Sequence, residues 1–284
     1  MLRLMVKLPE EDAVVVGRTI ISLLGYADDL AFLATSAGAM QRVVSSLDEV
    51  CELVGMQVSL DKTKVMFSGP REDCEQVLIR EHVLKRSDAF PYLGVVQSCD
   101  ATSARAVQHR ISKASAAFYS LSRLWKAPMR LSVKGHLYMA IVRRVLLYGA
   151  GTWTLRQEDC RILETFDMAC IRSILRVSKI RRIPSVDLRA RLGIHKSVGQ
   201  EIKQDRVRLF GHAMRMDMDS GVLLRWPRIV VEDAACGTRG RRGRPQKCWI
   251  HNVNSDLVAK GFGLYSGAHL ARKNRTLFRN KLVI

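Results

Sequence analysis

Apolar positions recur along this chain in two rhythms, and the change near residue 100 divides it. The segments 18–24 and 30–34 are short strand-prone runs separated by Gly25, Tyr26, Ala27, Asp28 and Asp29. Two such runs about a brief break predict a β-hairpin. From Met40 the apolar positions Val43, Val44, Leu47, Val50, Cys51 and Val54 keep helical spacing, with Ser36 as N-cap and Gly55 as stop. A helix with one apolar face, packed on a sheet, is the expectation. Further strands are expected at 57–60 and around 64–67, on either side of a turn with Asp61 and Lys62, and as two short runs between 90 and 96. The first part therefore reads as α+β with a mostly antiparallel sheet.

Beyond Asp100 strand signals fade and helical ones take over, at 102–126, 132–148, 157–177 and 197–216, and more faintly at 245–260 and 266–280. In the first of these, Val107, Ile111, Ala114, Phe118 and Leu121 form the inward stripe, leaving Arg105, Arg110, Lys113 and Arg123 outward or sideways. Gly, Pro and Arg clusters break the pattern from 217 to 244, which reads as a basic linker. Four segments follow: 1–98, 99–216, 217–244 and 245–284.

Charge sharpens this division. The chain has 284 residues, 48% hydrophobic, with a formal net charge of +19. Residues 1–95 hold 10 Lys/Arg against 14 Asp/Glu, whereas the remainder holds 36 against 13. An excess so placed favours a polyanion partner, and RNA or DNA is the expected one. Seven scattered cysteines make no disulfide framework. A zinc site from Cys236, Cys248 and His251 lacks the usual paired spacing, and no zinc is expected. No apolar run approaches the roughly 20 residues of a membrane span, and the first residues make no secretory signal. An intracellular address, nuclear or cytoplasmic, is the expectation.

Tyr26-Ala27-Asp28-Asp29 is the sharpest chemical feature. Two adjacent carboxylates between apolar strands repel one another and favour a cation nearby. Paired magnesium ions, held by such groups, activate the primer hydroxyl and stabilise the leaving pyrophosphate in nucleotidyl transfer. An ordinary Asp-Asp turn accounts equally well for the bare tetrapeptide.

The order of neighbouring features changes that balance. Tyr-Ala-Asp-Asp, an amphipathic helix, Gly55, Asp61-Lys62-Thr63-Lys64 and Phe90-Pro91-Tyr92-Leu93-Gly94 together resemble the palm of a reverse transcriptase from a non-LTR, LINE-type retrotransposon. The resemblance implies that Asp28 and Asp29 are the catalytic, metal-binding aspartates, that Lys64 or Lys62 assists the incoming nucleotide, and that Phe90 to Gly94 is the primer grip. It implies Mg²⁺ or Mn²⁺ as cofactor and a primer-template as partner. Leu147-Tyr148-Gly149 with Trp153, the arginines of 166–176, Arg208-Leu209-Phe210-Gly211-His212 with Arg215-Met216, and Gly243-Arg244-Pro245 with Trp249 and Asp256-Leu257 extend it into an all-α thumb-like and C-terminal region.

Other residues carry two readings. Tyr148, Trp153 and Trp249 suit base stacking, but an aromatic on a helical apolar face is more often core. His212 has no ligand spacing and reads as structural. Arg241, Arg242 and Arg244 are candidate nucleic-acid contacts, and Arg242-Gly243-Arg244-Pro245 also resembles the AT-hook of minor-groove binders.

The palm of this family needs a third metal-binding aspartate and a fingers region upstream of the hairpin. Only 25 residues precede Tyr26, and their one aspartate, Asp12, lies in a polar stretch beside Glu10 and Glu11. Ser59 and Pro91 also depart from the pattern. The expectation is a fragment of an RNA-directed DNA polymerase that is inactive alone. A non-catalytic, basic nucleic-acid-binding protein is the alternative, and a translation product without a selected role is the third.

Overall fold

The computed structural model describes residues 9–16, 19–68, 76–216 and 248–283. The chain divides into two compact units, 1–101 and 102–284.

The first unit is α+β. After a 3-10 turn at Glu10–Asp12 come β1 (Val14–Val16), β2 (Thr19–Ile21), β3 (Leu23–Tyr26) and β4 (Asp29–Phe32). β1 pairs antiparallel with β2, and β3 with β4. Helix α1 spans Ala37–Leu53; the Ser36 hydroxyl accepts from the Ala39 amide at 3.1 Å, and Gly55 adopts φ 70° just beyond the helix. Both boundaries follow from local chemistry, since Ser satisfies an orphan amide and Gly tolerates the left-handed bend.

α1 buries more than the single face expected. Val43, Leu47, Val50 and Cys51 pack with Leu30, Phe32 and Val58. Val44 turns instead to Val65, Val77, Ile79 and Leu84. These come from or adjoin β5 (Lys64–Val65), β6 (Leu78–Ile79), β7 (His82–Val83) and β8 (Lys85–Arg86). β9 (Ala89–Tyr92) and β10 (Val95–Ser98) form a last antiparallel hairpin.

Two expectations are corrected. Residues 57–60 are not a strand: the Ser59 carbonyl accepts both the Thr63 amide and the Thr63 hydroxyl, which winds the segment into a turn. The run 18–24 is two strands rather than one, because β2 turns back on β1 while β3 pairs forward to β4. Each described sheet has two strands, and the pair β5–β8 is parallel.

The second unit is helical. It comprises α2 (Ala104–Ser120), α3 (Ser122–Lys126), α4 (Leu131–Leu137), a π-helical stretch at Tyr138–Arg143, α5 (Arg144–Leu146), α6 (Gln157–Leu175), α7 (Ser185–Arg191), α8 (Val198–Arg215), α9 (Trp249–Val258), α10 (Leu264–Lys273) and α11 (Arg275–Phe278), ending in a π turn at Arg279–Val283. α7 went unrecognised in the sequence because it is short and charged; its signals are Pro184 at the start and Leu188 and Leu192 four apart, both buried. Val207, Phe210, Ala213 and Met214 of α8 share a core with Ile250, Val253, Leu257, Ala271, Phe278 and Leu282, so the C-terminal helices are built onto α8. The buried pair Arg206–Asp256, at 2.8 Å, joins α8 to α9. Among the described residues no helix is long and apolar enough to cross a membrane.

A buried polar network ties the middle of this unit together. The Tyr138 hydroxyl donates to Asp167 at 2.7 Å, while Arg143 donates to Asp167 at 3.0 Å, to Glu201 at 2.8 Å and to the Lys196 carbonyl at 2.9 Å. A guanidinium 1% exposed is tolerable only with such compensation.

Candidate functional site

The Tyr26-Ala27-Asp28-Asp29 tip is a two-residue turn closing β3 on β4, with Tyr26 opposite Asp29. Ala27 has φ 52°, whereas Asp28 does not enter the left-handed region. Positive φ at the first loop residue alone is the signature of a type II′ turn, whose twist suits a hairpin. That position favours Gly, so Ala27 holds a conformation that costs free energy. Leu30 and Phe32 face α1; strand alternation therefore turns Asp29 and Ala31 to the opposite face. Asp28, Asp29 and Tyr26 are all exposed, Tyr26 by 68%.

The 90–94 segment forms a second tight hairpin. Tyr92 pairs with Val95, and the two residues between them, Leu93 and Gly94, have φ 46° and 76°. Two consecutive positive φ values mark a type I′ turn. Phe90, Pro91 and Tyr92 lie in β9; Pro91, opposite Val96, is exposed on a ribbon of two edge strands, where its missing amide is tolerated. The Tyr92 hydroxyl donates to the Leu24 carbonyl at 3.4 Å. Burial pushes the Tyr92 phenol up, and the neighbouring Asp29 carboxylate adds to the shift. Thus β3 of the first hairpin and β9 of the second meet at Tyr92.

Lys64 stands on a different strand. It is exposed at the start of β5, paired in register with Lys85, and makes no hydrogen bond or ion pair with Asp28 or Asp29. Asp12 is committed elsewhere: it is buried and ion-paired with Arg42, while its carbonyl accepts the Thr35 amide. Among the described residues no group of three His, Cys, Asp or Glu side chains is placed to hold a metal ion. Two adjacent carboxylates on one tip are an incomplete donor set for a magnesium pair, which needs oxygen ligands from more than one element. The described residues therefore do not fit the metal centre that the family resemblance implies.

In the helical unit, Arg105, Lys113 and Arg123 are exposed on α2 and α3, while Ala106, Val107, Ala114 and Phe118 are buried. Arg110 is half-buried, its guanidinium 4.3 Å from the centre of the Tyr148 ring. Burial lowers the Arg110 guanidinium from its ordinary value, and Tyr148 partly restores it. Trp153 is core at 2% exposed, and Trp249 is half-buried with its indole N–H on the Gly151 carbonyl at 2.7 Å. Tyr148 departs from the core reading at 50% exposed, which leaves a ring already covered by one guanidinium. Arg172 is consumed internally, donating to the carbonyls of Ser178, Arg181 and Ile183. Arg241, Arg242 and Arg244 lie outside the described residues, as do Cys236 and the 217–244 segment.

One meeting of arginines among the described residues was not evident from composition. Arg208, Arg215, Arg275 and Arg279 line one hollow with Phe278. Spacings of seven on α8 and four near the C-terminus are its sequence signals, but only the fold brings the two pairs together.

No protein-family profile matches the chain. It is similar to an uncharacterized transposon-derived protein of Caenorhabditis elegans, 20% identical over 259 residues that cover 86% of this chain and 88% of that protein. A transposon origin fits this similarity.

Proposed function

We propose that the chain derives from a LINE-type retrotransposon reverse transcriptase, and that this polypeptide does not by itself extend a primer. One observation carries the reading: Tyr26-Ala27-Asp28-Asp29 sits at the two-residue tip of a hairpin braced by α1, with both carboxylates exposed and the Tyr92 hydroxyl of the β9–β10 hairpin on the Leu24 carbonyl of the same hairpin. An ordinary acidic turn requires neither the helix behind it nor that second hairpin. The similarity to a transposon-derived protein over most of both chains supports the same ancestry. The incomplete donor set supports the lack of polymerisation, because positioning by metal and charge supplies most of the acceleration in phosphoryl transfer.

A second activity is favoured by the exposed Arg105, Lys113 and Arg123 and by the Arg110–Tyr148 pair. These place cationic groups on a helical unit whose sequence carries the chain's charge excess. Backbone phosphate contacts would give sequence-independent binding to RNA or DNA.

The polymerase reading is tested by primer extension on an RNA template with Mg²⁺ or Mn²⁺. Neither the unaltered chain nor Asp28→Ala/Asp29→Ala should add nucleotides. Extension by the unaltered chain that disappears in the double variant would refute the incomplete site.

A further inference from the structure

The hollow between α8 and the C-terminal turn encloses about 260 Å³ and is lined by Arg208, Arg215, Arg275, Phe278 and Arg279. Its construction is specific. Phe278, 2% exposed, lies against Gly211, where an added Cβ would come within 2.2 Å of the ring. That contact seats the final turn on α8 and carries Arg275 and Arg279 toward Arg208 and Arg215. The Arg215 guanidinium lies 5.9 Å from the centre of the Phe278 ring, so the ring forms an apolar floor beneath it.

Four guanidinium groups around one hollow repel one another, and among the described residues the lining contains no carboxylate to offset this. Arg208 has Asp205 beside it on α8. Arg215 Nη1 is buried without a hydrogen-bond partner among the described residues. Burial, with Arg275 next, pushes the Arg215 guanidinium down from its ordinary value. An arrangement of this kind is stabilised by a multivalent anion. Guanidinium forks match the oxygens of phosphate, which can accept from several donors at once. The volume is below the usual range for whole-ligand pockets, which suits a single phosphate group rather than a complete nucleotide.

We propose that this hollow binds a phosphate group, with Arg215 Nη1 as the inner donor and Arg208, Arg275 and Arg279 around the outer oxygens. The phosphate could belong to a nucleic-acid backbone or be free in solution. The backbone source rests on the nucleic-acid binding proposed above, whereas the free source does not.

The intact chain is compared with Arg275→Gln/Arg279→Gln and with the charge-matched Arg105→Gln/Lys113→Gln, which should weaken duplex binding but keep the phosphate response, in two assays. One is fluorescence anisotropy with a short labelled DNA duplex over a range of salt. The other is thermal unfolding in inorganic phosphate against chloride of equal ionic strength. For a backbone phosphate, the Arg275/Arg279 variant should bind the duplex about tenfold more weakly, with a log–log salt slope shallower by up to about 1.8, near 0.9 for each lost contact. It should also lose the stabilisation that inorganic phosphate gives the unaltered chain. Phosphate stabilisation that depends on these arginines, without duplex binding, supports a free-phosphate site and refutes the nucleic-acid reading. Duplex binding unchanged by Arg275→Gln/Arg279→Gln, together with an unchanged phosphate response, overturns the pocket and leaves that reading standing. Arg215→Gln is the stricter probe of the inner donor. Because Arg215 is partly buried, the exposed pair decides if that variant fails to fold.

Discussion

Replacing Asp167 by Ala should unlock the helical unit from its centre. Asp167 is 0% exposed and accepts from both Tyr138 and Arg143. Its removal leaves a buried phenol without its acceptor and Arg143 with one carboxylate instead of two. Breaking a buried pair from one side costs about 3–5 kcal/mol. Glu201 remains 2.8 Å from Arg143, which points to the lower end, about 3 kcal/mol. Asp167→Asn retains an oxygen for Tyr138 and should cost less, about 1–2 kcal/mol. The triple change Tyr138→Phe/Arg143→Met/Asp167→Leu removes donors and acceptor together and should cost less than Asp167→Ala, despite its three substitutions. Urea unfolding at neutral pH, read by tryptophan fluorescence, is selective for this unit, since Trp125, Trp153, Trp226 and Trp249 all fall within it. A loss below about 1 kcal/mol in Asp167→Ala, or a triple variant weaker than the single one, would refute the reasoning.

Three further outcomes are expected. Gly135→Ala would set a Cβ 1.8 Å from the Leu192 carbonyl oxygen, so α4 or the 192 backbone must move; urea unfolding should show a loss at or above the top of about 1–3 kcal/mol. Burial, then Asp167, pushes the Cys170 thiol from 9.0 up to about 12. In alkali the unfolded thiol ionises first, so this contribution to stability is full below 9.0 and is lost as pH rises toward about 12. Unfolding measured against pH should show Cys170→Ala removing a slope of up to about 1.4 kcal/mol per pH unit. Ser36→Ala removes the N-cap of α1 and should cost about 1 kcal/mol, seen as faster amide exchange in that helix's first turn.

The features legible in the sequence were those governed by local chemistry. Ser36, the 43–51 spacing and Gly55 specify α1 almost to the residue, because cap, stripe and stop act within one element. The two hairpins declared themselves through short apolar runs about a break, although Ala27 and Leu93 occupy positive φ that their side chains do not advertise. What stayed hidden depended on distant partners. Arg143 resembles any surface arginine until Asp167 and Glu201 arrive from two other helices. Residues 57–60 have strand-like alternation, but no strand pairs with them. For the site, motif order singled out Asp28, Asp29 and Lys64; the fold sets the two aspartates at a hairpin tip and Lys64 in β5, opposite Lys85. The arginine hollow needed Phe278 to seat on Gly211, a packing event across 67 positions that no local pattern encodes.

The most direct test of the account is the affinity of the intact chain for RNA and DNA duplexes between about 50 and 200 mM salt, with and without Asp28→Ala/Asp29→Ala. Electrostatic gripping by the basic helical unit predicts a steep linear fall of log affinity with log salt, no weaker when the hairpin carboxylates are removed. A flat salt dependence, or binding that vanishes with those two aspartates, would contradict it.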